Sequence, residues 1–258
     1  MKPSRQTIGI LFGMLFIPTL LIALTSALMA DERVGTEESF DIGSVETDSP
    51  PSSTIVVSHD PATQSQAHLK GYKAVYEEVQ EAIDQSDPGD TIIVSPGTYA
   101  PFEIDDTIKD LEIKGYQAAI VADDPDITVV KIDGAREITL ETLELHHETP
   151  DTCSAGCIFI NDSRDVTITG CDLHGSGFFG ILVNYSYGLT ISGNRIHDCT
   201  DYALQVVNGT SSDYSGDLLT AVIVEGNYFY KNGTDLVEYT DEYFDSASFH
   251  SDNFFHAP

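Results

Sequence analysis

The chain has 258 residues, 41% of them apolar, which suits one folded repeat domain with tails and argues against two independent cores. Its 42 acidic residues against 12 basic ones give a formal charge of −30, which sets aside nucleic acid and anionic membrane surfaces as partners because both carry the same sign. An excess of Asp and Glu is also the composition of proteins that work in high salt, so a halophilic or saline setting is expected.

Residues 8–30 are nearly all apolar, with Lys2 and Arg5 ahead of them and no charge inside. Residues 1–30 therefore read as an export signal, either cleaved after Ala27 or Ala30 or kept as an N-terminal membrane anchor, since the stretch is just long enough to span a bilayer. Either way the rest of the chain works outside the cytoplasm as a secreted, periplasmic or cell-surface protein. Without Lys2 and Arg5, ten basic and 42 acidic residues remain, a formal charge of −32. Met1, Met14 and Met29 all lie in this segment, so the exported part has no thioether ligand for copper. Residues 31–58, rich in Glu, Asp, Ser, Thr and Pro, read as an acidic disordered linker. Within 59–90, Tyr72, Val75, Tyr76, Val79, Ala82 and Ile83 recur at helical spacing until Asp87-Pro-Gly-Asp90 stops the pattern. The spacing predicts an amphipathic helix that caps the open end of the following repeats.

From Thr91 to about residue 235, short strands alternate with Gly, Asn and Asp. One pattern occurs three times, as Thr139-Leu-Glu-Thr-Leu-Glu-Leu-His146, Thr167-Ile-Thr-Gly-Cys-Asp-Leu-His174 and Thr190-Ile-Ser-Gly-Asn-Arg-Ile-His197, at offsets of 28 and 23 residues. Five units align on an apolar-x-small pattern beginning at Ile113, Leu140, Ile168, Ile191 and Val224, and a second strand set begins at Val130, Ile158, Ile181 and Leu204. Repetition at this period predicts a solenoid, an all-β parallel β-helix with three short strands per turn and rungs about 4.8 Å apart. Residues 236–258 form an acidic, aromatic tail or cap.

The run Thr91-Ile-Ile-Val-Ser-Pro-Gly-Thr-Tyr99, then Asp110-Leu-Glu-Ile-Lys-Gly115 and the rungs to Tyr230, resembles the right-handed parallel β-helix repeats of the pectate-lyase-like superfamily. The resemblance spans roughly residues 70–235 and includes the carbohydrate-binding and sugar-hydrolase type domain, also found in a periplasmic protein of nitrous-oxide reductase maturation. It implies a right-handed β-helix and leaves function open, because that superfamily includes lyases, hydrolases, epimerases, esterases, adhesins and inactive binders. The chain has no Trp, no Arg-x-Pro-x-x-Arg and no Asp-Pro-His-Asp, and of the polygalacturonase signature only His174-Gly175 is present. No catalytic motif transfers.

Alternation must then place the site. If Leu145, Leu173, Ile196 and Phe229 point inward, their neighbours point out in two columns: Glu144, Asp172, Arg195 and Tyr228 in one, His146, His174, His197 and Tyr230 in the other. Such a face offers a polysaccharide hydrogen-bonding groups at rung spacing. For a lyase, His174 or His197 is the expected base, with Arg195 or a calcium at Asp172 neutralising the substrate carboxylate. His146, Glu144, Tyr228 and Tyr230 are the expected binding residues. Stacked imidazoles resist simultaneous protonation, which predicts neutral rings. Repetition alone also generates such a file, so the same face fits a non-catalytic adhesion module; a periplasmic metal-handling role is a third reading.

In an exported chain Cys153 and Cys157 are spaced for a small disulfide; the rival reading joins them to His146 and His147 as a zinc site. Asn161, Asn184, Asn208 and Asn232 each begin an Asn-x-Ser/Thr triplet. The first three recur at strand ends, where Asn suits a tight turn, which leaves Asn232 and the loop-adjacent Asn208 as the better glycosylation candidates. Arg136 and Arg164, beside Glu137 and Asp165, suggest surface charge pairing.

Overall fold

A computed structural model describes residues 40–42, 45, 53–149, 154–207, 222–237, 249 and 251–256. The expected export segment and most of the expected acidic linker lie outside these residues. Among the described residues no helix is long and apolar enough to cross a membrane.

From Asp90 to Val237 each turn of the described chain contributes one strand to each of three parallel sheets. Sheet A runs Ala74–Tyr76, Thr54–Val57, Asp90–Val94, Lys109–Gly115, Arg136–Glu141, Arg164–Thr169, Leu189–Ser192 and Val222–Glu225. Sheet B runs Gly97–Tyr99, Ala118–Ala122, Glu144–His147, Asp172–His174, Arg195–His197, Tyr228–Tyr230 and Phe254–His256. Sheet C runs Phe102–Ile104, Val130–Asp133, Ile158–Asn161, Phe179–Asn184, Tyr202–Val207 and Thr234–Val237. This is the expected right-handed parallel β-helix. Ile113, Leu140, Ile168, Ile191 and Val224 are direct partners in sheet A, as are Val130, Ile158, Ile181 and Leu204 in sheet C. All are buried, so the inward file of aliphatic side chains is continuous from rung to rung.

The corner between sheets A and B explains the small residue in the repeat. Gly170, Gly193 and Gly226 adopt φ of 63°, 66° and 66°, the left-handed region that glycine enters without steric cost. Thr142 fills the same place at φ 55°, where a side chain costs roughly 1–2 kcal/mol; its Oγ1 donates to the Gly115 carbonyl at 2.7 Å. One residue on, a buried amide ladder ties the rungs together. Asn194 Oδ1 accepts from Cys171 N–H at 2.9 Å, Asn227 Oδ1 from Asn194 N–H at 2.9 Å, and Asn253 Oδ1 from Asn227 N–H at 2.9 Å.

The N-terminal cap differs from the predicted single helix. Helix α1, Pro61–Lys70, starts at Asp60, whose carboxylate accepts from the Ala62 and Thr63 N–H groups, and ends at left-handed Gly71. Helix α2, Val79–Asp84, buries Val79, Ala82 and Ile83 in the main core. Between them Val75 and Tyr76, which match a helical period, lie in the strand Ala74–Tyr76 because Thr54–Val57 offers it an open edge. That second strand corrects the linker boundary. Ile55, Val56 and Val57 are fully buried and pair on both sides, with Ala74–Tyr76 and with Asp90–Val94. At the other end Phe254–His256 extends sheet B, with Phe255 stacked 5.3 Å from Phe229 and Phe249 buried beside both. Part of the expected tail is thus another rung with its cap.

The amide ladder yields a stability prediction. Asn194→Ala strips partners from the buried Cys171 N–H and from the Ile168 carbonyl, which Asn194 Nδ2 reaches at 2.9 Å. At about 1–3 kcal/mol per orphaned buried group, urea denaturation should show a loss of at least about 2 kcal/mol; a loss below about 0.5 kcal/mol would contradict a role in holding the rungs together.

Candidate functional site

Sheet B carries the expected columns. Leu145, Leu173, Ile196 and Phe229 are buried, and the register pairs Glu144 with Asp172, Asp172 with Arg195 and Arg195 with Tyr228. In the next column His146 pairs with His174, His174 with His197 and His197 with Tyr230. The four rings form one stack: His146–His174 centroids are 4.7 Å apart at 11°, His174–His197 5.0 Å at 13°, and His197–Tyr230 4.4 Å at 10°. Ring faces cover one another along the solenoid axis, so the column presents polar ring edges. Tyr228 stacks on Phe254 at 4.6 Å and both are exposed, which adds an apolar ring pair at the C-terminal end of the neighbouring column.

Carboxylates hold the imidazoles from the side. Glu144 Oε1 lies 3.0 Å from His174 Nε2 and 4.0 Å from His146 Nε2. His146 Nδ1 lies 3.2 Å from the His147 carbonyl oxygen. Asp172 bridges Arg195 and His197, with its Oδ1 3.0 Å from His197 Nε2, and Asp198 Oδ2 sits 2.6 Å from His197 Nδ1. Burial pulls the His197 pKa down, but its bonds to Asp172 and Asp198 outweigh burial and raise it above the ordinary value of 6.5. Burial pushes Asp172 up, yet its bond to His197 and the Arg195 charge leave it below the carboxylate value of 3.8. His197 thus sits between two carboxylate side chains that favour its protonated form, whereas the sequence suggests a neutral ring. Asp198 joins the site unforeseen. It follows His197 in the sequence, but only its left-handed backbone, φ 52°, shows that the chain turns there.

Other expected residues separate. His147 points inward, 3% exposed, with Nε2 2.9 Å from the Ile127 carbonyl oxygen, and burial lowers its pKa. It faces away from His146, so these two histidines of the rival zinc set do not share a site. Cys157 is buried, with its Sγ 3.3 Å from the Leu145 carbonyl oxygen; Cys153, the other half of the expected bridge, lies outside the described residues. Among the described residues, the two Asp172 oxygens are engaged by Arg195 and His197. Asn232 Oδ1 accepts from Cys199 N–H at 3.1 Å and its Nδ2 donates to the Ile196 carbonyl at 3.0 Å, so a glycan on this amide would break a rung contact. Asn208 lies outside the described residues. Asn161 and Asn184 form a short ladder, Asn184 Nδ2 donating to Asn161 Oδ1 at 2.7 Å, and the left-handed positions are those that follow, Asp162 and Tyr185. Arg136 and Arg164 stack in register with Lys109 on sheet A, beside a hollow of about 340 Å³ that Asp110 and Glu137 also line.

The fold and this ladder define a class: a parallel β-helix with a polar, outward-facing strip on one sheet. The family of right-handed β-helix regions matches residues 105–257, and the chain belongs to it. No curated protein matches the sequence. Among solved structures, a pectin methylesterase mutant in complex with a hexasaccharide is similar at 14% identity, covering 73% of this chain and 67% of that one, with a TM-score of 0.37.

Two titrations bear on the site. Because the folded His197 pKa lies above 6.5, its stabilising contribution is complete below pH 6.5 and disappears as pH rises through the folded value. Because the folded Asp172 pKa lies below 3.8, its contribution is complete above pH 3.8 and is lost as pH falls through the folded value. The stability excess over His197→Ala should therefore peak between these limits and shrink at alkaline pH. An NMR titration should place the His197 midpoint above 6.5, falling in Asp198→Asn; an unmoved midpoint would remove Asp198 from the site.

Proposed function

We propose that the outward face of sheet B binds an extracellular polysaccharide laid across the rungs. The observation that carries this reading is the unbroken polar ladder, in which ring edges, carboxylates and one guanidinium recur on four successive strands at about 4.8 Å. A glycan repeats its hydroxyls along its length. Donors and acceptors fixed on a rigid scaffold can pair with them at little ordering cost. Tyr228 and Phe254 add an apolar surface for a sugar ring. The formal charge of −30 favours a neutral glycan, or an acidic one where salt or calcium screens the repulsion.

A second reading, cleavage by elimination, is favoured by the neighbouring imidazoles. His174, 3.0 Å from Glu144, would take the proton beside the substrate carboxylate; protonated His197 would donate to the leaving oxygen, and Arg195 would neutralise the carboxylate. An adhesion module would use the same surface without these steps.

Purified protein titrated calorimetrically with a glycan panel, with and without calcium, tests both readings. Tyr230→Ala and Arg195→Ala should each weaken binding at least about tenfold, roughly 1.4 kcal/mol, with the circular dichroism unchanged. Unsaturated uronate and new reducing ends report cleavage, which His174→Ala and His197→Ala should each abolish. Absence of binding at every salt concentration would sink the polysaccharide reading; binding without product would leave adhesion.

A further inference from the structure

We infer that Glu144, His146 and His174 form a binding site for a divalent transition-metal ion of the zinc type. One ligand atom from each of the three lies within 4.8 Å of the other two, and the three residues come from two adjacent strands of sheet B. Both imidazoles direct Nε2 toward the same carboxylate oxygen, at 3.0 Å for His174 and 4.0 Å for His146. A tetrahedral ion with bonds of 2.0–2.2 Å holds its ligand atoms about 3.4 Å apart. The observed separations bracket that value, so small side-chain rotations reach it.

The second observation concerns the tautomer of His146. Its Nδ1 lies 3.2 Å from the His147 carbonyl oxygen, which can only accept, so Nδ1 carries the proton of the neutral ring. Nε2 then presents a lone pair toward the Glu144 oxygen across 4.0 Å. Two acceptors facing each other across that distance attract a cation between them. A ring N–H donated to a backbone carbonyl is also the outer contact that orients metal-binding histidines. The carbonyl is supplied by the strand end, because His147 turns its own side chain inward.

The ligand set selects the ion. Two imidazole nitrogens and one carboxylate suit zinc, cobalt, nickel or copper(II), whereas calcium and magnesium take oxygen shells. Three protein ligands leave a fourth position open to solvent, the arrangement of ions that bind or activate a further ligand. Glu144 is half exposed and His146 and His174 about one quarter exposed, so an ion can enter directly from solvent. Asp172 does not join, because Arg195 and His197 occupy it.

The test uses the metal alone, so its outcome is separate from that of the glycan experiment. Protein stripped with a chelator is titrated with Zn²⁺ by calorimetry and with Co²⁺ by visible absorption. One ion per chain should bind, with a cobalt spectrum of a four- or five-coordinate centre, and affinity should fall as pH drops through the histidine range. His146→Ala, His174→Ala and Glu144→Gln should each weaken binding at least tenfold, while exposed His68→Ala should not. Circular dichroism checks that the variants fold. No binding, or affinity unchanged in His146→Ala and His174→Ala, would overturn the site; an equal loss in His68→Ala would do the same.

Discussion

Parallel strands hydrogen-bonded in register, rung after rung, are the constraint on which the whole face depends. Successive side chains of a strand point to opposite sides, so a slip of one residue at the rungs of His146, His174 or His197 would bring a histidine into the core and expose a leucine or isoleucine. Two devices resist that slip. The buried aliphatic file makes each rung fit the next, and the ladder of Asn194, Asn227 and Asn253 binds backbone N–H groups that have no other route to water. A buried amide without its partner is expensive, which makes the ladder a register mark as well as a source of stability.

Stacking imidazoles at 4.7–5.0 Å creates an electrostatic problem that the neighbouring column answers. Protonated rings at that distance would repel one another, and each is met from the side by a carboxylate: Glu144 for His146 and His174, Asp172 and Asp198 for His197. Arg195 and Lys231 lie at the same end of the strip, so one of the few cationic clusters of a very acidic chain is gathered beside His197. The strip is therefore graded. At its Glu144 end two imidazoles face one carboxylate; at its Asp198 end one imidazole is held between two.

Much of this was legible from repetition. Copies in register predict which residues share a column, and the pairing of His146, His174, His197 and Tyr230 follows directly from it. The sequence reads less well where one segment must be weighed against a neighbour. Tyr72 to Ile83 satisfies a helical period, yet Val75 and Tyr76 pair as a strand because Thr54–Val57 presents an edge that periodicity does not see. The run Ile55-Val56-Val57 is too short to stand out from its polar surroundings, and burial on both sides gives it its place. Asn232 satisfies a glycosylation triplet, but both ends of its amide are taken by the rung below.

The amino-acid sequence by itself determined the solenoid, the three strand sets and the two outward columns, because a period near 23 residues and alternation along each strand are local properties of the chain. Only the tertiary structure decided how charge is distributed along those columns. Which carboxylate meets which ring depends on side-chain directions across rungs: Glu144 reaches up to His174, 30 residues on, Asp172 to His197, and Asp198 back to its own neighbour. Those distances raise the His197 pKa and bring Glu144, His146 and His174 together, and no sequence spacing encodes them.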